Sequence, residues 1–146
     1  MPAPVNIAVG SADVSSTNPL PARSSSDYPL GATAINAASG NVAAAVATAT
    51  LAAAASKTTY IAGFSITSSG STAAAVVSAT VTNLITATAT FTYTTVAGAT
   101  LANQSLVVTF DPPIPANAAN TTIPVSLPSL GAGNTNATVN AWGYQL

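Results

Sequence analysis

The stretch GNVAAAVATATLAAAAS, residues 40–56, can be a helix or a strand, and each choice implies a different architecture. Its composition favours a helix, because Ala is the strongest helix former and one Leu with two Val costs little. Its pattern favours a strand. Val42, Val46, Thr48 and Thr50 share one parity with Ala44, while Ala43, Ala45, Ala47, Ala49 and Leu51 hold the other. No charged i,i+4 pair supports a helix here. A strand over residues 41–51 is therefore expected, and a face so rich in Ala needs a packing partner that approaches closely or is bulky.

The chain beyond this stretch keeps the period of two. Residues 59–67 (TYIAGFSIT) place Tyr60, Phe64 and Ile66 on one parity and Ile61 on the other, with Gly63 marking a bulge or a close backbone approach. Residues 68–71 read as a turn and residues 73–81 as a Val-rich strand. In residues 86–95 (TATATFTYTT), Thr86, Thr88, Thr90, Thr92 and Thr94 line one face, with Ala87, Ala89, Phe91, Tyr93 and Thr95 on the other. The run SLVVTF (105–110) meets Asp111-Pro-Pro-Ile-Pro115, where a ladder is expected to stop. Pro124, in mid-run within residues 121–127, points to a sheet edge or a bulge. The last run, residues 135–146, sets Ala137, Val139, Ala141 and Gly143 on one parity. Seven or eight strands with turns every 8 to 14 residues suggest an all-β sandwich or barrel.

Residues 1–36 differ. They hold five of the ten prolines and three of the five charged side chains. Pro fixes φ and removes a backbone donor, so this segment reads as an extended N-terminal arm with one short strand at residues 5–9. The domain proper is expected over residues 37–146.

Charge sets the limits on function. Only Asp13, Arg23, Asp27, Lys57 and Asp111 ionise near neutral pH, 3% of the chain, against about 25% in an average soluble domain. One Arg and one Lys cannot neutralise the phosphates of a nucleic acid, so no nucleic-acid partner is expected. There is no Glu, His or Cys. Ordinary zinc, haem and iron–sulfur sites are thus not expected, and cofactors are read as none. No window has the roughly 18 strongly apolar residues of a membrane helix; residues 42–55 come nearest but are short and mostly Ala and Thr. The first residues, MPAPVNIAVGSADVSS, lack the basic and apolar regions of a signal peptide. The expectation is a soluble chain, not exported by a cleaved signal, with no membrane partner.

An enzyme would have to pair Asp111 with an Asp of the arm, or use Lys57 as the base for a Ser. No flanking motif supports either, and no catalytic or metal residue is assigned. Asp111 before Pro reads as a turn cap, and Lys57 as a solvated loop residue. Trp142 and Tyr144 share a parity across Gly143; they could stack on a ligand, but a lone Trp more often anchors a core or an interface. Three Asn-x-Ser/Thr patterns, at Asn103, Asn120 and Asn136, read as chance matches in a chain rich in Asn and Thr.

A biased base composition would enrich Ala, Ser, Thr and Gly. The functional reading of the low charge is assembly. Across a two-fold axis a charge near the axis faces its own copy, ions are costly to desolvate at an interface centre, and small side chains lose little entropy on burial. The candidate interface residues are Pro2, Val5, Ile7, Pro19, Pro21, Tyr28, Trp142 and Tyr144.

Residues 38–42 (ASGNV), 57–64 (KTTYIAGF), 110–115 (FDPPIP) and 128–144 (PSLGAGNTNATVNAWGY) together resemble the capsid decoration, or cement, proteins of tailed bacteriophages, of the jelly-roll type found on short-tailed phages. The resemblance spans roughly residues 38–146 and rests on structural turns and strands. It implies a jelly-roll β-sandwich of seven to eight antiparallel strands on the outer surface of an icosahedral head, made in the host cytoplasm. The implied partners are the major capsid protein, which it would bridge and stabilise, and the chain itself, with a dimer favoured over a trimer. The alternative is a carbohydrate- or receptor-binding module of a phage fibre or surface adhesin, with Trp142 and Tyr144 stacking on sugar rings.

Overall fold

Alternation prevails over alanine's helix propensity in residues 40–56. In the computed structural model, which describes residues 8–9, 12–13 and 28–146, Ala47–Leu51 form a strand. Ala47, Ala49 and Leu51 are buried and Thr48 and Thr50 are exposed. The strand is shorter than expected. Val42 makes one isolated bridge to Ala137, and the chain then bends through Ala44, whose φ is +53°. The Asn134 side chain pins this bend by accepting a hydrogen bond from the Ala44 amide at 3.1 Å.

The chain divides into two units, residues 1–30 and 31–146. In the first, β1 (Ala8–Val9) pairs antiparallel with β2 (Ala12–Asp13); the rest of the strand expected at residues 5–9 lies outside the described residues. The second holds β3 (Thr33–Ala38), β4 (Ala47–Leu51), β5 (Thr59–Ser69), β6 (Ala75–Val81), β7 (Ala89–Thr95), β8 (Leu106–Pro115), β9 (Ile123–Leu127) and β10 (Asn136–Gln145). No helix occurs among the described residues. Residues 33–36, expected in the arm, instead open β3, because Ile35 and Ala37 pack against the core.

The eight strands form two antiparallel sheets, ordered β3-β10-β5-β8 and β4-β9-β6-β7. The first of the eight strands pairs with the last, the second with the seventh, the third with the sixth and the fourth with the fifth. The second unit is thus one long hairpin whose successive strand pairs alternate between sheets. Inward side chains of both sheets join in one hydrophobic core. Small residues meet on one side, where β4 packs against β3 and β10: Ala47 and Ala49 share the core with Ala37, Ala137 and Ala141. Aromatics fill the other, where Phe64, Phe91 and Phe110 form a cluster with ring centroids 5.1–6.2 Å apart. The close approach expected for the Ala-rich strand is met by small residues facing small ones.

Three details differ from the sequence expectation. The register between β5 and β8 shifts between Ile61 and Gly63, so the expected bulge is present and resets the parity. Ile61, Phe64 and Ile66 all face the core, and Tyr60 faces outward. Second, β8 does not stop at Asp111. Its pairing with β5 lapses after Thr109 and resumes at Ile114 and Pro115, and the prolines in between are tolerated because β8 is an edge strand whose outer side needs no donors. Third, Pro124 lies in an inner strand with no bulge. Its carbonyl accepts from the Thr82 amide, so its ring nitrogen faces the β6 side, where the named ladder ends at Val81 and Val125. The ladder to β4 runs unbroken from Ile123 to Leu127.

Candidate functional site

From Tyr28 to Leu146 the only acidic or basic side chains are Asp111 and Lys57. Asp111 is exposed on β8, within a strand and not in the turn that its sequence context suggests. Lys57 lies between β4 and β5 and donates from Nζ to Thr33 Oγ1 at 3.3 Å. The two therefore sit on separate elements, and no group of three metal-ligating side chains occurs among the described residues. No described helix is long and apolar enough to cross a membrane.

The remaining surface of the second unit is neutral. On the sheet containing β4, alternation turns hydroxyls outward. Thr48, Ser126, Thr80 and Thr90 are aligned by register into one row across all four strands, and Thr48 Oγ1 lies 2.9 Å from Ser126 Oγ. Ser78 and Thr92, then Val76 and Thr94, continue the pattern on β6 and β7. Val76 is 67% exposed and, on the other sheet, Val107 is 64% exposed.

The outer face of the β10 sheet carries the aromatics. Trp142 is half-buried and lies over Gly63, where a Cβ would come within 2.5 Å of its Cζ2. Only glycine leaves room for the indole. Tyr144 is 5% exposed and stacks on its cross-strand neighbour Tyr60, centroids 4.7 Å apart and planes 12° from parallel. Tyr144 thus has one face committed to Tyr60, whereas Trp142 and Tyr60 keep partial exposure. Tyr28 is half-buried in the first unit. Pro2, Val5, Ile7, Pro19 and Pro21 lie outside the described residues.

A polar cluster that the sequence does not announce closes one end of the two sheets. Ser68 Oγ lies 2.8 Å from the Tyr93 hydroxyl, Asn103 Nδ2 donates to Ser68 Oγ at 2.7 Å, and Asn103 Oδ1 accepts from the Val96 amide. Asn134 donates to the Ser69, Gly70 and Asn136 carbonyls. Among the described residues every buried side-chain polar atom has a partner, so the cluster locks loops together. Asn103, one of the Asn-x-Ser/Thr matches, is buried within it.

Burial raises the ionisation of Tyr93 and Tyr144 above the usual tyrosine range; the Ser68 hydrogen bonds offset part of this at Tyr93, and the Tyr60 phenol adds to it at Tyr144. An unfolded tyrosine ionises near pH 10, before these two do in the folded chain. The unfolded state then binds fewer protons, so stability is retained below that pH and lost as pH rises through the folded values. With no His or Cys, no side chain ordinarily titrates between about pH 6 and 8. Thermal melts are therefore expected to be flat across that window and to fall steeply above about pH 10, the fall being shallower in Tyr93→Phe.

Comparison with known protein families, with curated proteins and with solved structures found no match to this chain.

Proposed function

We propose that this chain is a capsid decoration protein, a jelly-roll β-sandwich that binds the outside of an icosahedral phage head and bridges its major capsid proteins. The observation that carries the reading is the neutrality of the second unit: its exposed residues are mainly Ala, Thr, Ser, Val and Asn, with Asp111 its only carboxylate side chain and Lys57 its only basic side chain. Such a surface is poorly suited to solitary life in water. It is well suited to interfaces, where each buried ion would need a partner.

The strand order supports the jelly-roll assignment. First with last, second with seventh, third with sixth and fourth with fifth is the pairing obtained by rolling one long hairpin into two four-stranded layers, an architecture common to capsid and lectin domains. On this reading residues 1–30 act as an arm that reaches neighbouring subunits, and no catalysis or cofactor is involved. The alternative, a glycan- or receptor-binding module, draws less support, because Tyr144 is stacked on Tyr60 and only 5% exposed.

The test is binding to heads that lack the protein. Purified chain added to such heads should co-sediment at a fixed, saturable stoichiometry and raise their resistance to heat-induced DNA release. Absence of saturable binding contradicts the reading, and a glycan array hit abolished by Trp142→Ala would favour the alternative.

A further inference from the structure

We infer that β7 is the surface through which two copies of this chain join, edge to edge and antiparallel, about a two-fold axis at Thr92. This deepens the decoration reading and rests on it for its biological setting, since an assembly role favours self-association without naming the contact.

The two sheets leave four edge strands, β3, β8, β4 and β7. Edge strands are ordinarily guarded by charge, proline, bulges or shortness. β8 carries Asp111, Pro112, Pro113 and Pro115. β4 has five residues and enters from a bend. At the start of β3 the Lys57 ammonium donates to the Thr33 hydroxyl, which places a charge beside that strand. β7 has none of these devices. Its sequence, ATFTYTT, contains no charge, Pro or Gly, and its seven residues pair with β6 from Val81–Ala89 to Ala75–Thr95 without a register shift. Among the described residues its other side pairs with nothing.

The strand is also complementary to itself. Antiparallel pairing about Thr92 sets Thr92 against Thr92 and Thr90 against Thr94 on the outer face, and Phe91 against Tyr93 on the inner face. Thr–Thr and aromatic cross-strand pairs are favourable ones, and like charges opposite one another are not; the strand has no charge to oppose. Phe91 supplies a further reason for a partner. It points inward, yet being at the edge it remains half-buried, beside a half-buried Phe110 6.2 Å away. A second β7 laid along this edge covers Phe91 and joins two four-stranded sheets into one.

Sedimentation velocity of the full chain at micromolar concentration tests this, with circular dichroism confirming that each variant is folded. The wild type is expected to be a dimer. Thr92→Lys and Thr92→Asp, each alone, should raise the dimer dissociation constant about tenfold or more, and mixing the two in equal amounts should restore the dimer, because the axis opposes position 92 to itself. Should either single variant fail to fold, Thr90→Lys/Thr94→Lys is expected to be monomeric and Thr90→Asp/Thr94→Lys dimeric. A monomeric wild type, a Thr92 variant that still dimerises as the wild type does, or a mixture that stays monomeric overturns the contact. A monomer that nevertheless decorates heads overturns the β7 contact alone. A charge-swapped dimer that never binds heads overturns the decoration reading alone.

Discussion

Gly143→Ala is expected to cost the fold at least about 3 kcal/mol, the upper end of ordinary overpacking, and to lower the melting temperature by about 10 °C or more. Gly143 lies in β10 between β3 and β5, opposite Ile35 on one side and Ile61 on the other. A Cβ there would fall on the carbonyl oxygen of Tyr60. That oxygen is backbone, at the point where the register of β10 on β5 shifts between Trp142 and Gly143. It cannot swing aside as a side chain would, so the added carbon must displace one of two central strands. Differential scanning calorimetry of the two chains reads the effect. A shift under 2 °C would mean that the strands do not approach as described.

The second large effect is at Phe64. Phe64→Ala is expected to destabilise by about 3–5 kcal/mol, a large part of the 5–15 kcal/mol that typically holds a domain together. Phe64 is fully buried, and its ring meets Phe91 edge-on at 5.1 Å and Phe110 at 6.2 Å. It therefore links β5 both to its sheet neighbour β8 and to β7 in the opposite sheet. The truncation leaves a cavity that the small residues on the far side of the core cannot fill. Thr48→Ala, on the exposed hydroxyl face, should change stability by no more than about 0.5 kcal/mol. Urea denaturation of both variants measures the contrast, and equal effects would contradict the assignment of inner and outer faces.

Strand existence and facing were legible wherever alternation was strict. Residues 89–95 and 136–145 form strands with the inward and outward sets that their parity indicates. Facing was lost at the β5 bulge, because one extra residue exchanges the faces and Gly63 alone does not say which residue is extra. The length of β4 was overestimated because its early bend is fixed by Asn134, about ninety residues away in sequence. Pro124 misled because proline excludes a ladder only on the side its nitrogen faces, and sequence does not reveal which side that is. Of the candidate surface, the shortage of charge was plain from composition. The stacking of Tyr144 on Tyr60, the buried Asn103 and Asn134 cluster and the unguarded edge at β7 all depend on pairings between distant segments, which residue spacing cannot supply.

Whether the neutral surface serves assembly is decided by cryo-electron microscopy of purified particles from the source of this chain. The expected result is density for the two-sheet domain of this 14.1 kDa chain on the outside of the shell, at regular positions between major capsid subunits. Particles whose outer surface carries no such density, or carries it only at fibre tips, would contradict it.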